Sequence, residues 1–149
     1  DQAMTQKMLK LALVHDIGNI TVRPEILNKV DNLTSSDWTE IKTHPVSGYH
    51  ILKNIDQYAE VAEYVLTHHE WYNGSGYPRG ISGKKIPMES RMLALVSDYA
   101  AMTANRSYRN ALTRDEAISI LKSDRGRRYD PELLESFLKF LELEEEYVK

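Results

Sequence analysis

The stretch DQYAEVAEYVLTHHEWYNGSGYP, residues 56–78, combines a clear helical pattern with an unusual ending. Val61, Ala62, Val65 and Leu66 recur at the spacing that places apolar side chains on one face of an α-helix. Two adjacent histidines and a glutamate close this pattern, and a glycine-rich segment follows that ends in Gly-Tyr-Pro. We therefore predict an amphipathic helix that brings candidate functional side chains to the start of a loop.

The remaining segments also carry helical patterns with recognisable starts or stops. Thr34 or Ser35 is a predicted N-cap, because a side-chain oxygen there satisfies a free backbone N–H. Thr113 and Glu116 form a predicted capping box, and Gly18 is the predicted stop of the first helix. The predicted helical segments outside 56–70 are DQAMTQKMLKLALV (1–14), PEILNK (24–29), DWTEIKT (37–43), PVSGYHILKNI (45–55), MESRMLALVSDYAAMTA (88–104), DEAISILKS (115–123) and PELLESFLKFLELEEEYV (131–148).

No segment has the sustained alternation of a β-strand, and the chain has no internal repeat or low-complexity linker. We predict an all-α fold, with a single domain over residues 1–149 built from about six to eight helices. Residues 88–104 are long and apolar, so we predict that they form the central buried helix.

The composition excludes several classes of function. The chain has 149 residues, of which 42% are hydrophobic and 28% charged, so one folded domain with a single core is expected. A net charge of −3 gives no basis for general binding to DNA or to a membrane surface. Cys is absent, so any metal must be bound by His, Asp or Glu. No apolar run approaches the ~20 residues of a membrane span and no signal peptide is visible, so we expect a cytoplasmic location.

The histidines and one aspartate are the candidate metal ligands. Neighbouring helical residues point ~100° apart, so an adjacent pair in mid-helix cannot easily bind one ion. At a helix end such a pair can bind one ion, or it can serve two ions with a bridging carboxylate. Imidazole and carboxylate ligands together suit Fe, Mn, Zn, Co or Ni. The candidates near predicted helix ends are His15, Asp16, His44, His68 and His69, whereas His50 is predicted to be a helix-surface residue.

Several segments together resemble the HD-GYP family, a branch of the HD metal-dependent phosphohydrolases. They are LVHDIGN (13–19), ILNKVDNLTSSDWTEIKTHPVSGYHIL (26–52), HHEWYNGSGYP (68–78), IPMESRMLAL (86–95) and NRSYRNAL (105–112). The match runs in register from about Leu11 to Leu112 and more loosely through YDPELLESF (129–137). The resemblance implies an all-helical domain that hydrolyses cyclic di-GMP with two or three metal ions, commonly iron or manganese.

The resemblance also implies how the metal ligands are divided. Asp16, His44, His68 and His69 would surround one ion, and His15 with Asp16 would contribute to a neighbouring ion. Asp16 and His15 are therefore the catalytic candidates as well. We expect one well-formed metal site and a second, doubtful one.

Substrate-binding roles follow from the same resemblance. Tyr77 and Pro78 would lie beside the nucleotide, and Asn19 stands where the family has a phosphate-binding lysine. Arg106 and Arg109 would bind the phosphates, and on a helical turn they share a face. Composition alone would favour an ordinary surface pair for the two arginines. Trp71 and Tyr72 could equally pack in the core or the loop.

The sequence departs from the family pattern in three places. The expected lysine is the uncharged Asn19, and the two aspartates of the central helix fall on Ser97 and Ala100. Asp98 is one position away, about 100° round the helix, so whether it replaces the missing ligand stays open. The family also has upstream helices that carry a Glu and a His ligand, which this chain starts too late to include.

Two classes of function are therefore predicted. The first is a metal-dependent phosphodiesterase, at full or reduced rate, for cyclic di-GMP or its linear product. The second is an inactive relative that binds a nucleotide or a protein partner in signalling. A phosphohydrolase for another nucleotide is a third reading.

The start of the chain carries a further prediction. Residue 1 is Asp rather than Met, and a helix is predicted to begin at once, so we expect a piece of a longer protein with an upstream sensor or receiver domain. Met4, Met8 and Leu11 would then lie on a face left uncovered, and a two-fold homodimer through that face is predicted.

Overall fold

The computed structural model describes residues 2–105 and 110–148, with the side chains of the last helix described as far as Glu144. Within that part of the chain there are eight α-helices, two short 3-10 helices and no strand, so the all-α prediction is confirmed. The α-helices are α1 (Gln2–Val14), α2 (Pro24–Leu27), α3 (Ser35–Ile41), α4 (His44–Leu52), α5 (Ala59–Thr67), α6 (Met88–Thr103), α7 (Arg114–Ser123) and α8 (Pro131–Val148), and the 3-10 helices are Ile17–Thr21 and Gly83–Lys85.

Local sequence signals explain several of the helix starts. Thr34, rather than Ser35, caps α3, and its hydroxyl accepts a hydrogen bond from the Asp37 backbone N–H at 3.2 Å. The Asp37 carboxylate accepts in return from the Thr34 N–H at 2.8 Å, which completes a capping box. Thr113 and Glu116 form the predicted capping box of α7. These caps satisfy backbone N–H groups that the first turn of a helix leaves free.

Two apolar clusters hold the helices together. The first is formed by α1, α4, α5 and α6, and the second lies between α6, α7 and α8. Leu93 belongs to the first cluster and Leu95 to the second, because residues two apart on a helix point in nearly opposite directions. The helix α6 is therefore central, as predicted. It is not wholly buried, however, since Val96 is 47% exposed, and the prediction of a buried helix is wrong for its outer face.

The end of α1 differs from the sequence prediction. The helix ends at Val14, and Gly18 lies inside the following 3-10 helix rather than at a helix stop. A Cβ atom on Gly18 would lie 1.9 Å from the backbone oxygen of His44, so glycine is required by close backbone approach to α4. This contact brings the segment after α1 against the start of α4, where two of the candidate ligands meet.

The predicted uncovered face of α1 is also placed differently. Leu11 is fully buried in the first cluster and Met8 packs against that cluster, so neither residue is available to a partner. The exposed apolar side chains of this helix are Leu9 and Leu13, and Leu13 is 85% exposed. The side chains of Met8 and Leu11 face the core formed with α5 and α6, so the prediction of an exposed Leu11 is wrong.

Across the described residues, no helix combines the length and the apolar character that crossing a bilayer requires. The cytoplasmic location expected from the sequence remains a prediction.

Candidate metal centre

Four predicted ligands meet where three helix ends converge. Asp16 follows α1, His44 is the first residue of α4, and His68 and His69 directly follow α5. One possible ligand atom from each of these residues lies within 4.8 Å of the corresponding atom of every other, so the group could hold a metal ion. Asp16 Oδ1 lies 3.6 Å from His44 Nε2 and 4.0 Å from His68 Nε2. The Nε2 atoms of His44 and His69 are 3.2 Å apart.

Backbone carbonyls orient three of the imidazole rings in the same way. The Nδ1 atoms of His15, His44 and His68 lie 2.8, 2.7 and 2.6 Å from the carbonyl oxygen three residues earlier in the chain. Because a carbonyl only accepts hydrogen bonds, each Nδ1 carries the proton and donates it. In the neutral rings Nε2 then has a free lone pair, which is the form that binds a metal.

The protonation states also suit a metal site. Burial lowers the pKa of His68 to about 4 and that of His69 to about 2, and it lowers the pKa of His44 as well. Burial acts to raise the pKa of Asp16, but the hydrogen bond and charge of His15 outweigh it, and the pKa falls to about 2. At neutral pH the cluster therefore consists of three neutral imidazoles and one carboxylate.

One buried atom indicates that the cluster fits a cation. His68 is only 2% exposed, and its Nε2 has no hydrogen-bond partner among the described residues. A buried acceptor without a partner costs free energy, and a metal ion at this point would satisfy it together with the other three ligands. The nitrogen and oxygen donors match a first-row divalent ion, and they do not select among Fe, Mn, Zn, Co and Ni.

His15 lies at the edge of this cluster. Its Nε2 is 3.1 Å from Asp16 Oδ2, the carboxylate oxygen that is turned away from His44 and His68. The hydrogen bond to Asp16 raises the pKa of His15. Asp16 thus approaches His44 and His68 with one oxygen and His15 with the other.

The loop after the two histidines is held close to them. A Cβ on Gly76 would lie 2.4 Å from the backbone oxygen of His69, so only glycine permits this turn. Tyr77 donates its backbone N–H to the same oxygen at 3.1 Å, and its ring stacks on the His69 ring at 5.0 Å between centroids. Glu70, which is buried, accepts a hydrogen bond from the Arg79 backbone N–H at 2.6 Å and fixes the far end of the turn.

Ser97 and Ala100, two of the positions that depart from the family pattern, line a cleft beside the cluster. The cleft has a volume of about 450 Å³ and is lined by His15, Asp16, His68, His69, Ser97, Asp98, Ala100, Ala101 and Ala104. Ser97 donates its hydroxyl to the Ala94 carbonyl of its own helix at 3.3 Å. Asp98 is engaged elsewhere: Arg128 Nη2 lies 2.7 Å from its Oδ2, which also accepts from the Tyr129 hydroxyl at 2.8 Å. Asp98 thus lines the cleft without turning a free carboxylate toward the ligands.

The predicted substrate-binding residues are placed unequally. Tyr77 is half-buried against His69, whereas Pro78 is exposed beyond it. Asn19 lies in the 3-10 helix after Asp16, outside the lining of the 450 Å³ cleft. Arg106 and Arg109 lie outside the described residues. His50 is exposed on α4, as predicted.

Sequence reasoning missed the residues on the other side of His69. Lys42, Trp71 and Arg128 line a second cleft with His69 and Tyr77. Arg128 comes from the segment between α7 and α8, far along the chain, and no spacing rule connects it with the histidines. The sequence feature that could have drawn attention to Arg128 is the pair of adjacent arginines in GRRYDP.

The fold and the site define an all-helical domain with a histidine–aspartate cluster suited to a metal ion. The family model of the HD domain matches residues 1–133, so the chain belongs to the HD-domain family. HD domains are metal-dependent, which agrees with the cluster.

Individual relatives agree with the predicted branch of this family. The chain is 36% identical over 130 residues to the cyclic di-GMP phosphodiesterase response regulator RpfG of Xanthomonas campestris, covering 86% of this chain and 34% of that protein. It is 39% identical over 130 residues to a cyclic di-GMP phosphodiesterase of Thermotoga maritima, covering 86% and 35%. The chain thus spans about a third of the length of these relatives. The predicted resemblance to HD-GYP phosphodiesterases is confirmed.

A solved structure has the same fold. The crystal structure of a cyclic GMP-AMP specific phosphodiesterase of Vibrio cholerae, V-cGAP3, aligns with a TM-score of 0.66 at 19% identity. The alignment covers 91% of this chain and 38% of that one. At this identity the likeness concerns the fold alone.

Proposed function

We propose that the chain is the HD-GYP-like domain of a metal-dependent phosphodiesterase that hydrolyses a cyclic dinucleotide, with cyclic di-GMP as the first candidate. The observation that carries the proposal is the cluster of Asp16, His44, His68 and His69 beside an open cleft. The relatives that are named as cyclic di-GMP phosphodiesterases support the choice of substrate.

The chemistry follows from the charges of the site. Asp16, His44, His68 and His69 would hold a divalent ion, which would supply water with a lowered pKa of about 7 for hydrolysis of a phosphodiester. Asp16 keeps a negative charge at neutral pH, because its pKa is about 2. Its carboxylate can therefore orient the imidazole of His15 as a proton donor. His15 is the group that can move a proton there, since its hydrogen bond to Asp16 raises its pKa. Iron or manganese is the proposed ion.

A second function is favoured by the lining of the cleft. Ser97 bonds to its own helix, and Asp98 is held by Arg128 and Tyr129, so neither side chain supplies an anionic ligand to a second ion. Fewer anionic ligands leave more net positive charge at that ion and weaken its binding. The alternative proposal is a domain that binds the nucleotide at one metal and signals without hydrolysis.

One experiment separates the two proposals. Metal content per chain and cyclic di-GMP turnover are measured together on the full-length protein, with 3′3′-cGAMP as a second substrate. The enzyme proposal expects turnover that requires the metal and is lost after chelation. Binding of cyclic di-GMP without turnover, at one metal per chain, supports the signalling proposal instead. Protein that neither binds nor hydrolyses these nucleotides contradicts both.

We also propose a longer protein and a homodimer. Relatives about three times as long, one of them a response regulator, support an upstream sensor or receiver domain, and the coding sequence before residue 1 tests this.

Leu9 and Leu13 are exposed and share one face of α1, since residues four apart on a helix are neighbours. Apolar side chains in water favour association, and a second copy is the proposed partner.

The homodimer is tested by replacing Leu13 with glutamate. Leu13→Glu places a charge in the proposed interface without touching the core, so we expect a shift from dimer to monomer in sedimentation at constant helicity. Leu143→Glu is the matched control, because Leu143 is also an exposed leucine, at 55%, but lies on α8. A monomeric unmodified chain at high concentration, or equal dimerisation of both variants, contradicts the homodimer.

A further inference from the structure

A second cleft, of about 500 Å³, opens on the side of His69 away from α6. Its walls are aromatic and cationic. Lys42 Nζ lies 5.3 Å from the centre of the Tyr77 ring, and Arg128 lies 5.3 Å from that of Trp71. His69, whose other neighbours are the candidate metal ligands, is shared by this cleft and the 450 Å³ cleft. A ligand in the second cleft would therefore lie beside His69, one of the candidate metal ligands.

Arg128 is held firmly at this position. Its Nη2 lies 2.9 Å from Asp98 Oδ1 and 2.7 Å from Asp98 Oδ2, so one nitrogen meets both carboxylate oxygens. Asp98 is in turn fixed by the hydroxyl of Tyr129 at 2.8 Å. Trp71 and Tyr129 flank the guanidinium at 5.3 and 5.7 Å. An arginine restrained in this way loses little entropy when it binds a ligand.

Part of the guanidinium remains available. Among the residues that the structure describes, Asp98 is the hydrogen-bonding partner of the Arg128 side chain, and it uses Nη2 alone. The N–H groups of Nη1 and Nε are left for another acceptor, and 29% of the side chain is exposed. The free N–H groups of Nη1 and Nε lie on different edges of the guanidinium, and each can donate a charge-assisted hydrogen bond to a phosphate oxygen.

We propose that Arg128 binds a phosphate group of the nucleotide beside His69, and that Asp98 is the residue that positions it. Arg128 would supply a cation to the nucleotide in a chain that has the uncharged Asn19 where the family pattern has a lysine. Asp98, one position from the expected metal ligand, orients an arginine instead of binding an ion. This inference rests on the proposed function for the identity of the nucleotide, but not for the phosphate chemistry.

The test is the affinity of metal-loaded protein for two probes, cyclic di-GMP and inorganic phosphate, measured by calorimetry. Arg128→Met keeps much of the packing and removes the charge, and we expect both probes to bind about ten- to hundredfold more weakly, since a hydrogen bond to a charged group is lost. Arg128→Lys keeps the charge without the fork and should be intermediate. Metal content and Tm are measured for each variant.

Arg127→Met is the matched control. Arg127 lies over the same Trp71 ring at 5.0 Å, but it pairs with Asp124, at 2.6 and 2.8 Å, and does not line the cleft with His69. We expect its affinities to stay within about twofold of the unmodified protein, as for exposed surface changes. Equal losses in Arg127→Met and Arg128→Met would overturn the proposal, because they would indicate a general effect of charge.

The role of Asp98 has its own readout. Asp98→Asn should weaken binding several-fold in the unmodified background and have no further effect in the Arg128→Met background. A loss of the same size in both backgrounds, or a gain in affinity, contradicts the positioning role. Phosphate binding that depends on Arg128 without cyclic di-GMP binding supports the phosphate site and contradicts the proposed function. If neither probe binds the unmodified protein, or Arg128→Met binds both unchanged, the proposal fails.

Discussion

Replacing His68 with alanine is expected to remove the metal from the protein. His68 is 2% exposed, and within the part of the chain that the structure describes its Nε2 has no hydrogen-bond partner, so it is free to bind the proposed ion. Loss of a residue that merely orients a ligand already costs about 10–100-fold in metal affinity, and loss of the ligand itself should cost at least as much. We expect the metal content of the purified protein to fall from about one ion per chain to near zero.

Elemental analysis of metal per chain measures this, together with Tm before and after chelation. His68→Gln is prepared in parallel, because it preserves more of the buried volume if the alanine variant folds poorly. His50→Ala is the control, since His50 is exposed on α4 and outside the cluster, and its metal content should not change. Unmodified protein that is purified without metal, or a His68→Ala variant that keeps it, would rule out this centre.

Restoring two of the three missing charges, at Ser97 and Asn19, is expected to raise activity. Ser97 lines the same cleft as His15 and Asp16, so an aspartate at this position adds an anionic ligand for a second ion. Asn19→Lys returns the cation that the family pattern places after the histidine–aspartate pair. We expect Ser97→Asp with Asn19→Lys to increase second-metal occupancy and to raise cyclic di-GMP turnover at least about tenfold, which corresponds to ~1.4 kcal/mol.

The neighbouring residue provides the control for this rescue. Val96→Asp adds the same carboxylate one position earlier on α6, about 100° away and on a side chain that is 47% exposed. It should change neither metal content nor turnover. If the double variant gains no second metal and no activity, the alignment of Ser97 with the ligand position is wrong, or another residue already serves there. A gain in metal without a gain in turnover would favour the signalling function.

Local physics made much of the fold predictable from the sequence. Apolar spacing identified the helices, because a period of 3.6 residues is a property of the chain itself. The capping boxes of Thr34 and Thr113 are likewise interactions between residues three apart. The candidate ligands were predicted from histidines and an aspartate near predicted helix ends, and the resemblance to the HD-GYP family grouped four of them around one ion.

The tertiary structure alone decided which of these residues meet and which faces are covered. The helical spacing of Leu11 cannot tell a core from a free surface, since burial depends on the helices packed against it. The requirement for glycine at position 18 comes from the backbone of α4, not from a local turn. The pairing of Asp98 with Arg128 joins residues 30 positions apart. Asp98, which neighbours the expected ligand position at Ser97, therefore binds a guanidinium group. Helix periodicity is encoded locally, whereas contacts between distant segments exist only once the chain has folded.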